Sequence, residues 1–64
     1  MDRNELAPLL TAAIPGLLRY ARSITADETL AEDLVSDTLV RALERSESFR
    51  GDAALQTWLH RILH

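Results

Sequence analysis

The chain has 64 residues, 47% hydrophobic and 27% charged, with two glycines, two prolines and no cysteine. That bounds it to one small domain with enough apolar surface to fold, without disulfides or cysteine-bound zinc to support the core. All seven basic residues are arginine, against ten acids, and the formal charge of −3 excludes the basic surface by which a self-sufficient nucleic-acid binder displaces phosphate counterions.

The N-terminus, Met1-Asp2-Arg3-Asn4-Glu5, carries acids where a signal peptide would be basic. No apolar run approaches the roughly 20 residues of a membrane span, so a cytoplasmic protein without membrane insertion is expected. From Leu6 onward apolar residues recur at helical spacing: Leu6, Leu10, Ala13, Leu17, Tyr20, Ala21 and Ile24 form one stripe, with Arg19 and Arg22 off it. Asn4 is the expected cap of this first helix. Pro15 removes an amide and crowds the carbonyl four residues back, which predicts a kink or break between Thr11 and Gly16.

The polar stretch from Thr25 to Thr29 separates the first helix from the second, and Thr29-Leu30-Ala31-Glu32 fits the S/T-x-x-E capping box. The second helix should bury Leu30 or Ala31, then Leu34, Val35, Thr38, Leu39 and Ala42. Its opposite face would carry Asp33, Ser36, Asp37, Val40, Arg41 and Glu44. A loop through Ser46-Glu47-Ser48-Phe49-Arg50-Gly51 breaks the period. Asp52 is the expected cap of a third helix with Leu55, Trp58, Leu59 and Ile62 on its apolar face. That pattern reaches Ile62 and Leu63 without a closing Gly, Asn or Pro, as expected of a domain truncated inside a helix. The architecture expected is all-α: a three-helix bundle over residues 1–64, its first helix kinked or broken, its neighbours antiparallel because the connections are short.

Three blocks carry a resemblance. Asp33-Leu34-Val35-Ser36-Asp37-Thr38-Leu39-Val40-Arg41-Ala42-Leu43-Glu44, then Ser48-Phe49-Arg50-Gly51-Asp52, then Thr57-Trp58-Leu59-His60-Arg61-Ile62 resemble, in order and spacing, region 2 of extracytoplasmic-function sigma factors of the sigma-70 family. Leu17-Leu18-Arg19-Tyr20-Ala21-Arg22 is similar to the family's first helix. Ser36 departs from the family's usual Gln, and Gln56 stands where a basic residue is common. The family's third helix continues into an Asn and a basic segment facing promoter DNA. None of that follows His64 here, so weak duplex binding is expected.

The resemblance implies transcription initiation: docking on the β′ clamp helices of RNA polymerase and recognition and melting of the promoter −10 element. It implies a polymerase-binding face of Asp33, Ser36, Asp37, Val40 and Arg41. On the residues alone, this acidic, partly apolar strip suits a basic helical partner, or is a solvated face with an Asp37–Arg41 pair. The resemblance further implies that the loop from Ser46 to Leu55 receives a base flipped from the non-template −10 strand. Ser48, Phe49, Arg50, Gly51 and Asp52 are its candidates, joined by Thr57, His60, Arg61 and His64 off the apolar stripe of the third helix. By pattern, Phe49 and Trp58 read first as core aromatics, and Asp52 first as a helix cap. An anti-sigma factor is a further partner that the resemblance implies.

His60 and His64 stand four apart, the spacing for two imidazoles on one metal, but no third ligand is evident, so neither a metal nor another cofactor is expected. With no Cys, no Gly-x-Ser-x-Gly elbow and no glycine-rich phosphate loop, an enzyme is not expected either. The reading from another class is a small helical protein-protein interaction or dimerisation module, acting through Val40 and Leu63.

Overall fold

The computed structural model describes residues 1–51 and 54–64. Among these residues three α-helices make the fold: α1 over Arg3–Thr25, α2 over Glu28–Glu44 and α3 over Leu55–Leu63, with a 3-10 turn at Ser46–Ser48 between the last two. The long axis of the molecule, 33 Å, is that of α1, whose 23 residues rise about 1.5 Å each.

Of the stripe expected on α1, Leu6, Leu10, Ala13, Leu17 and Ala21 are buried, while Tyr20 is half-buried. α2 answers with Ala31, Val35, Thr38 and Ala42. Leucines on one helix thus meet small or β-branched residues on the other, which lets the two axes approach closely. α3 adds Leu59 and Ile62, and Phe49 closes the core from the loop. Thr38 is buried, and its hydroxyl donates to the Leu34 carbonyl at 2.6 Å, so no polar atom of it is stranded. Of the two alternatives at the start of α2, Ala31 is buried and Leu30 is exposed.

Four local expectations are corrected. Asp2, not Asn4, caps α1, its carboxylate accepting from the Asn4 amide at 3.0 Å. Both side chains can cap, and the one preceding the first helical residue does so. Secondly, α1 continues through Pro15. The proline still costs the Thr11 carbonyl its usual partner, but Ala13 and Leu17 on either side are packed into the core and hold both halves in register. Gly16 follows with the Gln56 side chain laid over it; a Cβ there would meet Gln56 Nε2 at 3.2 Å. Thirdly, α2 begins at Glu28 with Asp27 as cap, the carboxylate accepting from the Leu30 amide at 3.1 Å, which leaves Thr29 inside the helix. Fourthly, Ile24, in the last turn of α1, is exposed.

The α1–α2 connection is only Ala26 and Asp27. Ala26 takes the left-handed conformation at φ 56°, its amide donating to the Arg22 carbonyl at 3.2 Å, and so turns the chain back within one residue. Arg22 and Glu28 staple the turn, with Nη2 to Oε1 at 2.6 Å and Nε to Oε2 at 2.9 Å. The hydrogen bond to Glu28 raises the Arg22 guanidinium further above its already high ordinary pKa. A left-handed alanine costs about 1–2 kcal/mol, and glycine avoids that cost while losing about 0.5–1 kcal/mol of chain entropy. Ala26→Gly should therefore raise stability by a few tenths to ~1 kcal/mol, a rise of about 2–6 °C in melting temperature for a domain this size. An unchanged or lower value in a thermal melt would show that the turn does not hold this conformation in solution.

Candidate functional site: an acidic helix face and the loop beside it

α2 carries five acids and one arginine. Of the residues expected to meet a partner, Asp33, Ser36, Asp37, Val40 and Arg41 are all exposed and share the side of α2 turned away from the core. Asp37 holds Arg41 at 3.0 Å, each about half exposed. Such a solvated pair contributes about 0.2–1 kcal/mol, so it breaks readily for a better partner. Val40, 55% exposed, gives this side an apolar point beside the charges. The face can therefore take a helix with basic residues and a small apolar contact.

The loop leaves α2 through the 3-10 turn. The Ser48 hydroxyl and amide both donate to the Arg45 carbonyl, at 2.7 and 2.9 Å. Phe49 is buried at 4% exposure, its ring 4.9 Å from that of Trp58 at a 35° tilt. Trp58 is itself half-buried against the core. Both aromatics thus serve the core, as their pattern indicated, while of the loop's candidate residues Ser48, Arg50 and Gly51 are exposed. Gly51 has φ 79°, a conformation that side chains other than glycine adopt at a cost. Asp52, the expected cap, lies outside the described residues; α3 opens at Leu55 with Ala54 in the cap position and, among the described residues, no side-chain cap.

On α3, Gln56, Thr57 and Arg61 are exposed, as is His64, which caps its C-terminal end. His60 is half-buried, its ring stacked on that of Tyr20 at 4.3 Å and 19°, and His64 hydrogen-bonds the Tyr20 hydroxyl. The two histidines thus clasp α3 to α1 through one tyrosine. Among the described residues, no group of three or more His, Cys, Asp or Glu could hold a metal. His60 Nε2 is buried with no hydrogen-bond partner among the described residues. Since an unsatisfied buried group costs ~1–3 kcal/mol, His60→Phe, which keeps the stack and removes that nitrogen, should stabilise the fold by ~1 kcal/mol in urea denaturation. A loss of stability instead would mean that the nitrogen finds a partner in solution.

Sequence reasoning missed the first residues of the chain. The Met1 amine donates to the Ser46 and Phe49 carbonyls at 2.8 and 2.7 Å, and Arg3 Nε to the Leu43 carbonyl at 3.2 Å. No local pattern marks contacts made across forty or more positions.

The chain matches the family model described as the Sigma2 domain of PhyR over residues 10–64. It belongs to this family of sigma region 2 domains. Among curated proteins the domain is similar to the ECF RNA polymerase sigma factor EcfG of Rhodopseudomonas palustris, 41% identical over 60 residues, which span 94% of this chain and 33% of that protein. The ECF RNA polymerase sigma factor SigG of Mycobacterium tuberculosis is 48% identical over 46 residues, 72% of this chain and 12% of that protein. The RNA polymerase sigma factor YlaC of Bacillus subtilis is 36% identical over 62 residues, 97% of this chain and 36% of that protein. The region 2 domain thus spans about a third or less of the length of these relatives. No solved structure matches the chain. No helix among the described residues is long and apolar enough to cross a membrane.

Proposed function

We propose that this region 2 domain acts in transcription initiation in the cytoplasm, docking on the β′ clamp helices of RNA polymerase through Asp33, Ser36, Asp37, Val40 and Arg41. The observation that carries the reading is the side of α2 on which all five residues are exposed, in a chain whose relatives are named RNA polymerase sigma factors. The loop at Ser48, Phe49, Arg50, Gly51 and Asp52, with Thr57, His60 and Arg61 of α3 and His64 at its end, takes part in handling the non-template −10 strand. Within that set Arg50 and Arg61 bring the fixed charges, while Phe49 acts from the core by supporting the loop. The acidic balance fits a factor whose DNA affinity is supplied mainly by the polymerase. Catalysis stays with the polymerase, and an anti-sigma factor covering the same α2 face would hold the domain inactive.

The test is binding of the folded chain to a purified fragment carrying the β′ clamp helices. Salt-sensitive binding supports the docking face. A folded chain that fails to bind would leave shared ancestry without this role, and would favour a helical interaction module acting through Val40 and Leu63.

A further inference from the structure

We infer that α2 carries a second helix-packing seam on its outer side, running through Leu30, Asp33, Asp37, Val40 and Glu44, and that its occupant is a basic helix with an apolar residue near each end of the contact. The inference rests on the docking face proposed above and extends it. Leu30, not among the five docking residues, becomes the apolar anchor at one end. The five seam positions are spaced three, four, three and four apart, the repeat that keeps one line of side chains against a partner helix. At 1.5 Å per residue the line is about 21 Å long. The complementary spacing of four, three and four puts Ala31, Val35, Thr38 and Ala42 into the core. The outer five are all exposed, so α2 has one seam filled and one open.

A single exposed leucine or valine is ordinary on a small domain. Here both large apolar side chains that α2 leaves exposed, Leu30 at 54% and Val40 at 55%, fall on one line. They stand about 15 Å apart along the axis, with the two aspartates between them. That order defines the occupant. Under a purely apolar helix Asp33 and Asp37 would lose water and gain no partner, which opposes the contact. A second copy of α2 is opposed as well, because either register that matches Leu30 and Val40 sets aspartate against aspartate. A helix with arginine or lysine between two apolar residues satisfies all four positions: its ends bury apolar area and its cations meet carboxylates. Glu44, one turn beyond Val40, offers a carboxylate to a further cation. Arg41 flanks the line and holds Asp37 at 3.0 Å, a solvated pair that a cation seated on the seam can replace.

The test uses the whole chain and a purified fragment carrying the polymerase β′ clamp helices. Leu30→Ala and Leu30→Gln are the variants, and Leu9→Ala, which truncates an exposed leucine of α1, is the control. Thermal melts accompany calorimetric titrations at low and at high salt. Both Leu30 variants should melt with the unaltered chain, since the side chain is outside the core, and should bind about tenfold more weakly. That loss should be the same at both salt concentrations, because an apolar contact is not screened. Leu9→Ala should bind as the unaltered chain does. If the unaltered chain binds and the Leu30 variants bind equally well, the seam is overturned while the docking face from Asp33 to Arg41 stands. If the folded chain does not bind the fragment, the polymerase reading fails. The seam is then judged on a synthetic helical peptide with Leu, Arg, Arg and Leu at the four facing positions: binding that needs Leu30 keeps it, and no binding overturns it. Self-association in sedimentation equilibrium that Leu30→Ala abolishes would make a second copy the occupant, and would overturn the basic helix.

Discussion

Leu59→Ala should leave a substantial fraction of the domain unfolded at 25 °C. Leu59 is fully buried and, with Ile62, is one of two α3 residues in the core. Truncating such a leucine costs ~2–5 kcal/mol, more where neighbours cannot collapse into the space. A domain of this length has about 3–10 kcal/mol of stability in all, at ~0.05–0.15 kcal/mol per residue. The comparison that isolates burial is Leu9→Ala on α1, where the leucine is 42% exposed and the expected change is within about 0.5 kcal/mol. Urea titrations followed by circular dichroism measure both. Equal midpoints for the two variants would mean that α3 is not docked through Leu59.

Reversing two charges on α2 should weaken clamp binding by about a hundredfold, ~2.7 kcal/mol. Asp33 and Asp37 stand one turn apart on the exposed side, so Asp33→Arg/Asp37→Arg turns attraction for a basic helix into repulsion at two points. The fold should tolerate the change, since both positions are outside the core. The loss is a solvated Asp37–Arg41 pair and a mild repulsion between like charges four apart, a few tenths of a kcal/mol each. A control with the same net charge, Glu5→Arg/Glu47→Arg, changes acids away from that side. If both double variants weaken binding alike, net charge and not a docking face governs the interaction, and the proposal for α2 fails.

What could be read ahead of the structure was whatever repeats at helical spacing. The stripe from Leu6 to Ala21, the burial of Val35, Thr38 and Ala42, and the pairing of Leu59 with Ile62 all follow from apolar residues three and four apart. The same spacing isolated the Asp33 to Arg41 side as the one left to solvent. Capping was harder because adjacent residues compete. Asp2 and Asn4, or Asp27 and Thr29, have nearly equal intrinsic preference, and the choice falls to where tertiary packing starts the helix. Pro15 does not break the helix for a related reason: the local penalty is real, but Ala13 and Leu17 recover the helix on both sides. The stack of Tyr20 on His60 and the bonds of Met1 join residues 40 or more positions apart, and single-chain periodicity carries no trace of them.

The two-residue link at Ala26 and Asp27 also bears on how the domain is made. Each α1–α2 contact near that turn closes a very short loop, so little chain entropy is lost before the hairpin of two helices begins to bury its stripe. On a ribosome this hairpin is complete in sequence by Glu44, before any of α3 has been synthesised. The hairpin should therefore form as the folding nucleus, with an apolar groove waiting for Phe49, Leu59 and Ile62 to dock last. Substitutions at Ala31 or Ala42 would then slow folding, whereas Leu59→Ala would mainly speed unfolding.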